Sequence, residues 1–84
     1  MILHVVCVKH LHDYTIHVVF NDGASGEVDL SLELEGEVFA PLKDNALFKT
    51  VKVDPLTRTV AWDNGADMAP EFLYDLVRIS SVSF

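Results

Sequence analysis

Cysteine is almost missing from this chain: Cys7 is the only one in 84 residues. A single thiol excludes an internal disulfide framework and predicts a reducing, cytoplasmic setting. Positive charge is scarce as well, with six Lys and Arg against thirteen Asp and Glu, a net charge of −7. A field of that sign repels phosphate, so no direct nucleic-acid binding is expected. Four Gly, three Pro and no polar tract exclude collagen-like and disordered chains. No apolar run approaches the roughly 18–20 residues a membrane helix needs. The longest, Met1 to Val8, is interrupted by His4 and lacks the basic flank and small-residue cleavage site of a secretory signal. These absences predict one small soluble domain over residues 1–84, with no membrane association.

The acids are not spread evenly. Asp22, Glu27, Asp29, Glu33, Glu35 and Glu37 follow one another without a Lys or Arg between them, and so do Asp63, Asp67, Glu71 and Asp75. The remaining three acids stand against all six bases, which leaves the rest of the chain at net +3. Such segregation suits attraction of a basic protein, although a solubilising surface is the plainer explanation.

Hydrophobic periodicity predicts a meander. Leu3–Val8 reads as a strand and Lys9–Asp13 as a polar connector. Tyr14, Ile16, Val18 and Phe20 alternate onto one face of the next strand, with Thr15, His17 and Val19 opposite. Asn21-Asp22-Gly23 is a hairpin signal, because a tight turn needs positive φ. The return strand, Ser25–Leu30, turns Gly26, Val28 and Leu30 inward. Phe39–Leu42 reads as a helical turn, and Asp44 or Asn45 as the cap of a second turn ending at Phe48. Val51 and Val53 lie on a strand that turns at Asp54–Thr57 and returns over Thr59–Trp62. After the Asp63-Asn64-Gly65 turn, Asp67 is placed as N-cap of a helix from Met68 to about Val77, with Phe72, Leu73, Leu76 and Val77 as its apolar stripe and Glu71 and Asp75 in water. Ile79–Phe84 reads as a last strand or a loose tail. The fold class is α+β: a small, mainly antiparallel sheet in the order β-β-β-short helical turns-β-β-α, with one helix packed on a face.

Chemistry-bearing patterns are thin. His10, His12 and Asp13 are the candidate metal ligands, since two imidazoles on an extended segment point the same way beside a carboxylate. C-x2-H-x-H is not a closed zinc pattern, however, and no second ligand pair follows. His4 and His17 are placed as neighbours across the sheet. Cys7, among Val5, Val6 and Val8, is expected to be a buried thiol. No serine sits in a nucleophile elbow and no glycine loop suits a phosphate, so neither catalytic residues nor cofactors are expected. Trp62 reads as a core anchor in preference to an exposed hot spot. The exposed acids around it, Asp63, Asp67, Glu71 and Asp75, are the candidate partner-binding residues.

Tyr14–Gly23, Gly26–Leu30, Val38–Leu42 and Val60–Tyr74, with the paired F-x-D-G and W-x-N-G-A-D-x-A-P-E motifs, resemble the bacterial domain of unknown function 2442 family over about Leu3 to Leu76. The resemblance implies a small α+β domain without a known activity. It also implies relatives encoded beside another small protein, in a layout like a toxin–antitoxin pair. Longer relatives append a helix-turn-helix, and this chain stops before such a segment. The expected function is therefore a non-enzymatic protein-binding module, the antitoxin-like member of a two-gene pair, whose partner is a small basic protein encoded nearby. A regulatory accessory domain acting with a DNA-binding protein is the alternative. A small metal-binding protein and an enzyme of unrecognised type stand behind both.

Overall fold

The alternating residues of the second predicted strand do face inward: Ile16, Val18 and Phe20 are buried. In the computed structural model, which describes residues 2–81, they lie on the middle strand of a three-stranded antiparallel meander. Its strands are β1 (Val5–His12), β2 (Thr15–Phe20) and β3 (Ser25–Asp29). The β2–β3 turn is built as its residues dictate. Gly23 takes a φ of 91°, the Phe20 N–H donates to Ala24 O, and the Asp22 carboxylate accepts from Ala24 N at 2.9 Å. That backbone N–H, and then the Tyr74 hydroxyl at 2.8 Å, hold the Asp22 carboxyl below its ordinary pKa.

β1 is longer than expected. The predicted connector Lys9–Asp13 is strand as far as His12, and Asp13 and Tyr14 turn the chain, Asp13 at a φ of 42°. Two bulges explain how the strand carries a mixed pattern. Val5 lies opposite Phe20 while Cys7 lies opposite Val19, which leaves Val6 without a counterpart; Leu11 is the extra residue between His10 and His12. Each bulge moves the inward set by one position. Cys7 therefore shares the outward face with Val19 and is exposed, not the buried thiol that its apolar neighbours suggest. His10 turns inward with Ile16 instead.

The middle of the chain forms single turns: α1 (Gly36–Phe39), a 3-10 turn (Ala40–Lys43) and α2 (Asn45–Phe48). Asp44 caps α2, its carboxylate accepting from Ala46 N at 3.0 Å. The last two strands, β4 (Lys52–Val53) and β5 (Val60–Ala61), are two residues each. They pair with one another as a second sheet, and β1 reaches them through Val5 N–H donating to Arg58 O at 3.0 Å. The sheet is thus split in two, antiparallel throughout.

After β5 the chain reverses sharply. Trp62 N–H donates to Ala66 O, Gly65 N–H to Trp62 O, and Asp67 returns alongside Ala61 as a bridge. Asp67 is therefore extended and is not the helix cap. The helix, α3 (Pro70–Ser81), starts three residues later, with Leu73 N–H donating to Ala69 O, and it continues through Ile79–Ser81; the rest of the predicted tail lies outside the described residues. Leu73 and Val77 are buried and Leu76 is half-buried, but Phe72 is 40% exposed. Starting at Pro70 leaves Phe72 in the first turn, at the margin of the packed face. Glu71 and Asp75 are exposed, as expected. Trp62 is in the core at 2% exposure.

Gly65 gives a clean test of this reversal. Its φ is 88° and a Cβ there would meet nothing within 4 Å, so backbone strain is the main source of any loss on substitution. Gly65→Val is expected to destabilise by about 1–3 kcal/mol in urea unfolding. An unchanged midpoint would contradict the strained turn.

Candidate functional site

Three segments converge beside the start of α3. The stretch after β3 contributes Glu33, the turn α1 contributes Phe39, and the bridge-to-helix segment contributes Asp67, Met68, Ala69 and Phe72. Together they line a groove of about 260 Å³. Local structure explains each position. The Asp29 carboxylate accepts from Ser31 N at 2.9 Å and Glu33 N–H donates to Leu30 O, so the chain turns at the end of β3 and brings Glu33 back over the body. The same contact with the Ser31 backbone holds the Asp29 carboxyl below its ordinary pKa. Asn64 ties the Trp62 reversal to α1, its Nδ2 donating to Val38 O at 3.1 Å while its Oδ1 accepts from Ala66 N. Thr59, buried, fixes the other wall by donating to Met68 O at 2.5 Å.

The groove is apolar at its base and acidic at its edges. Met68 is buried, Phe39 is half-buried, and Phe72 is an exposed large apolar side chain of α3. Asp67 is exposed and Glu33 half-exposed. Neither is in an ion pair among the described residues, where Lys52–Asp63 at 3.0 Å and His12–Asp13 at 3.5 Å are the pairs formed. Among the described residues no Lys, Arg, His, Ser or Cys lines the groove.

Of the four acids expected to bind a partner, Asp67 alone lines this groove. Asp63 is exposed but held by Lys52, while Glu71 and Asp75 project from α3 into water. Glu33, Phe39 and Phe72 join Asp67 there, beyond the residues that the sequence singles out. Glu33 carried a signal, its place in the first acid run. Phe39 and Phe72 read as ordinary core.

The candidate metal ligands are dispersed by the Leu11 bulge. His10 pairs with Ile16 and His12 with Thr15, adjacent residues whose side chains leave opposite faces of the sheet. His10 Nε2 lies 2.9 Å from Asp13 O, and its ring meets Phe48 edge-on at 5.8 Å. Among the described residues no three His, Cys, Asp or Glu side chains are grouped to hold a metal ion. His4 and His17 are not neighbours either: His4 N–H donates to the Asn21 side chain at 2.9 Å, whereas His17 lies between Lys9 and Glu27. Among the described residues no helix is long and apolar enough to cross a membrane.

The sequence profile of the protein of unknown function family DUF2442 matches residues 5–78. The chain belongs to that family. The match spans every element from β1 into α3, so both motifs, the Phe20–Gly23 turn and the Trp62–Glu71 reversal, fall inside it. The DUF2442 chain matches no curated protein and no solved structure. Its fold is the expected α+β arrangement, a three-stranded antiparallel sheet and a second small sheet with short helices.

Proposed function

We propose that this DUF2442 protein is a non-enzymatic binding module that captures a small basic protein, in the manner of the antitoxin-like member of a two-gene pair. One observation carries the reading: two acid-rich segments far apart in the chain each deliver a carboxylate, Glu33 and Asp67, to the same apolar groove. Apolar contact area inside a charged rim is the usual anatomy of a protein interface. A net charge of −7 steers a cationic partner toward such a rim and keeps acidic chains away.

Affinity capture from the native host tests the reading. The tagged wild-type chain is expected to retain a small basic protein in stoichiometric amount. Glu33→Lys with Asp67→Lys should fold normally, since both side chains reach solvent, and should slow association by about tenfold at low salt. Recovery of no basic partner, or equal association by the double variant, would defeat the proposal.

A further inference from the structure

We infer that the groove takes a single large apolar side chain of the partner, presented on a short segment with Lys or Arg on either side of it. This rests on the binding-module reading and names the chemistry of what binds. The size of the space points to one side chain: about 260 Å³ lies below the roughly 300–1,000 Å³ of typical small-molecule pockets. Its base suits an apolar occupant. Phe39 and Phe72 give aromatic surface on two different elements, and Met68 is a flexible, polarizable side chain that adapts to the shape it meets. Phe72 stands at the helical spacing of a core residue yet is 40% exposed, so apolar surface is left open at this edge of α3. Filling it would remove that surface from water and make Phe72 an anchor contact.

The rim decides what surrounds the anchor. Glu33 and Asp67 approach from separate segments, and neither is in an ion pair among the described residues. Bases flanking the apolar side chain would meet both carboxylates, whereas an acidic or neutral segment would leave them uncompensated as water is displaced. A second copy of this chain is disfavoured by the same sign rule, because it would bring its own −7 to an acidic rim.

The test is an amide-shift NMR titration of the isotope-labelled 84-residue chain with three probes: a short peptide carrying one Phe between lysines, the same peptide with that Phe replaced by Ala, and oligolysine of equal charge. The first is expected to shift the amides of Asp67, Met68, Ala69, Glu71, Phe72 and Phe39 and to bind at least about tenfold more tightly than the other two. Phe72→Ala should weaken it by about tenfold while the chain stays folded, its amide spectrum remaining dispersed. Glu33→Gln with Asp67→Asn, which keeps shape and removes charge, should weaken it similarly at low salt and flatten its salt dependence. Equal binding of oligolysine, shifts centred elsewhere, or an unaltered Phe72→Ala would overturn the inference. The two readings fail separately. If Phe72→Ala still captures the basic protein from the host undiminished, the anchor falls and the binding module stands. If the Phe peptide docks in the groove but wild type captures no basic protein, the anchor chemistry stands and the proposed use of the groove falls.

Discussion

Trp62→Ala is expected to lower stability by about 3–5 kcal/mol, the range for truncating a large buried aromatic. At roughly 0.05–0.15 kcal/mol per residue a chain of this length holds only about 4–13 kcal/mol, so this one change threatens the fold. The loss has three sources. The ring is 2% exposed and would leave a cavity. Its Nε1–H donates to Phe48 O at 3.0 Å, a buried bond that Ala cannot replace and whose loss leaves Phe48 O with the longer Val51 N–H at 3.3 Å. It also packs on Phe48, centroids 5.7 Å apart, and Phe48 in turn meets Tyr14 edge-on at 5.2 Å. Trp62 therefore links the two-stranded sheet, through α2, to the meander. Urea unfolding followed by circular dichroism measures the effect. Trp62→Phe, which keeps most of the packing and loses the N–H, should cost less, about 1–3 kcal/mol. A loss below about 1 kcal/mol for Trp62→Ala would show that the ring does not join the two sheets.

Much of this fold is legible in the residues, and the failures have specific causes. Local chemistry announces the turns: Asp22-Gly23, the Asp44 cap, Asp54-Pro55 and Asn64-Gly65 all act where they stand, because a turn depends on its own few residues. Period-two alternation is reliable on β2, which pairs on both edges and has no bulge. It misleads on β1, where the extra residues Val6 and Leu11 change the register without changing the composition. Cys7 and the pair His10 and His12 were misplaced for that single reason. The N-cap at Asp67 failed through competition. An Asp three residues before a Pro suits a cap, yet the reversal at Gly65 pairs Asp67 with Ala61 and keeps it extended.

The candidate site was half visible. Two base-free acid runs can be seen in the sequence, but their meeting on one groove depends on the turn after β3 and on the tie from Asn64 to Val38. Such contacts between distant segments leave no periodic trace. The exposure of Phe72 is equally hidden, because its spacing is that of the same apolar stripe as Leu73 and Val77, and only the packing of distant segments leaves those two buried and Phe72 open.

The position of α3, and with it the groove, depends on a close approach that can be tested directly. Gly26 lies in β3 opposite Val18, and a Cβ there would stand 2.8 Å from Val77 Cγ1. Its φ lies outside the left-handed region, so Ala brings no backbone strain and the collision is the whole effect. A strand glycine is otherwise a weakness, and here it lets a helix side chain settle against the sheet. Gly26→Ala is expected to destabilise by about 1–3 kcal/mol through overpacking. Val77→Ala alone should cost roughly 1–2 kcal/mol from lost apolar burial. Combined, the two should fall short of additivity by about 1 kcal/mol or more, because the second removes the methyl that the first strikes. Additivity within about 0.5 kcal/mol in urea unfolding would mean that helix and strand do not meet as described. The same cycle reaches the groove, since α3 carries Phe72 at its first turn and Val77 at its contact with β3. A helix lifted from Gly26 moves Phe72 relative to Phe39 and Glu33. The Gly26→Ala chain should therefore bind the Phe-bearing peptide more weakly even where it remains folded, and Val77→Ala should restore much of that binding.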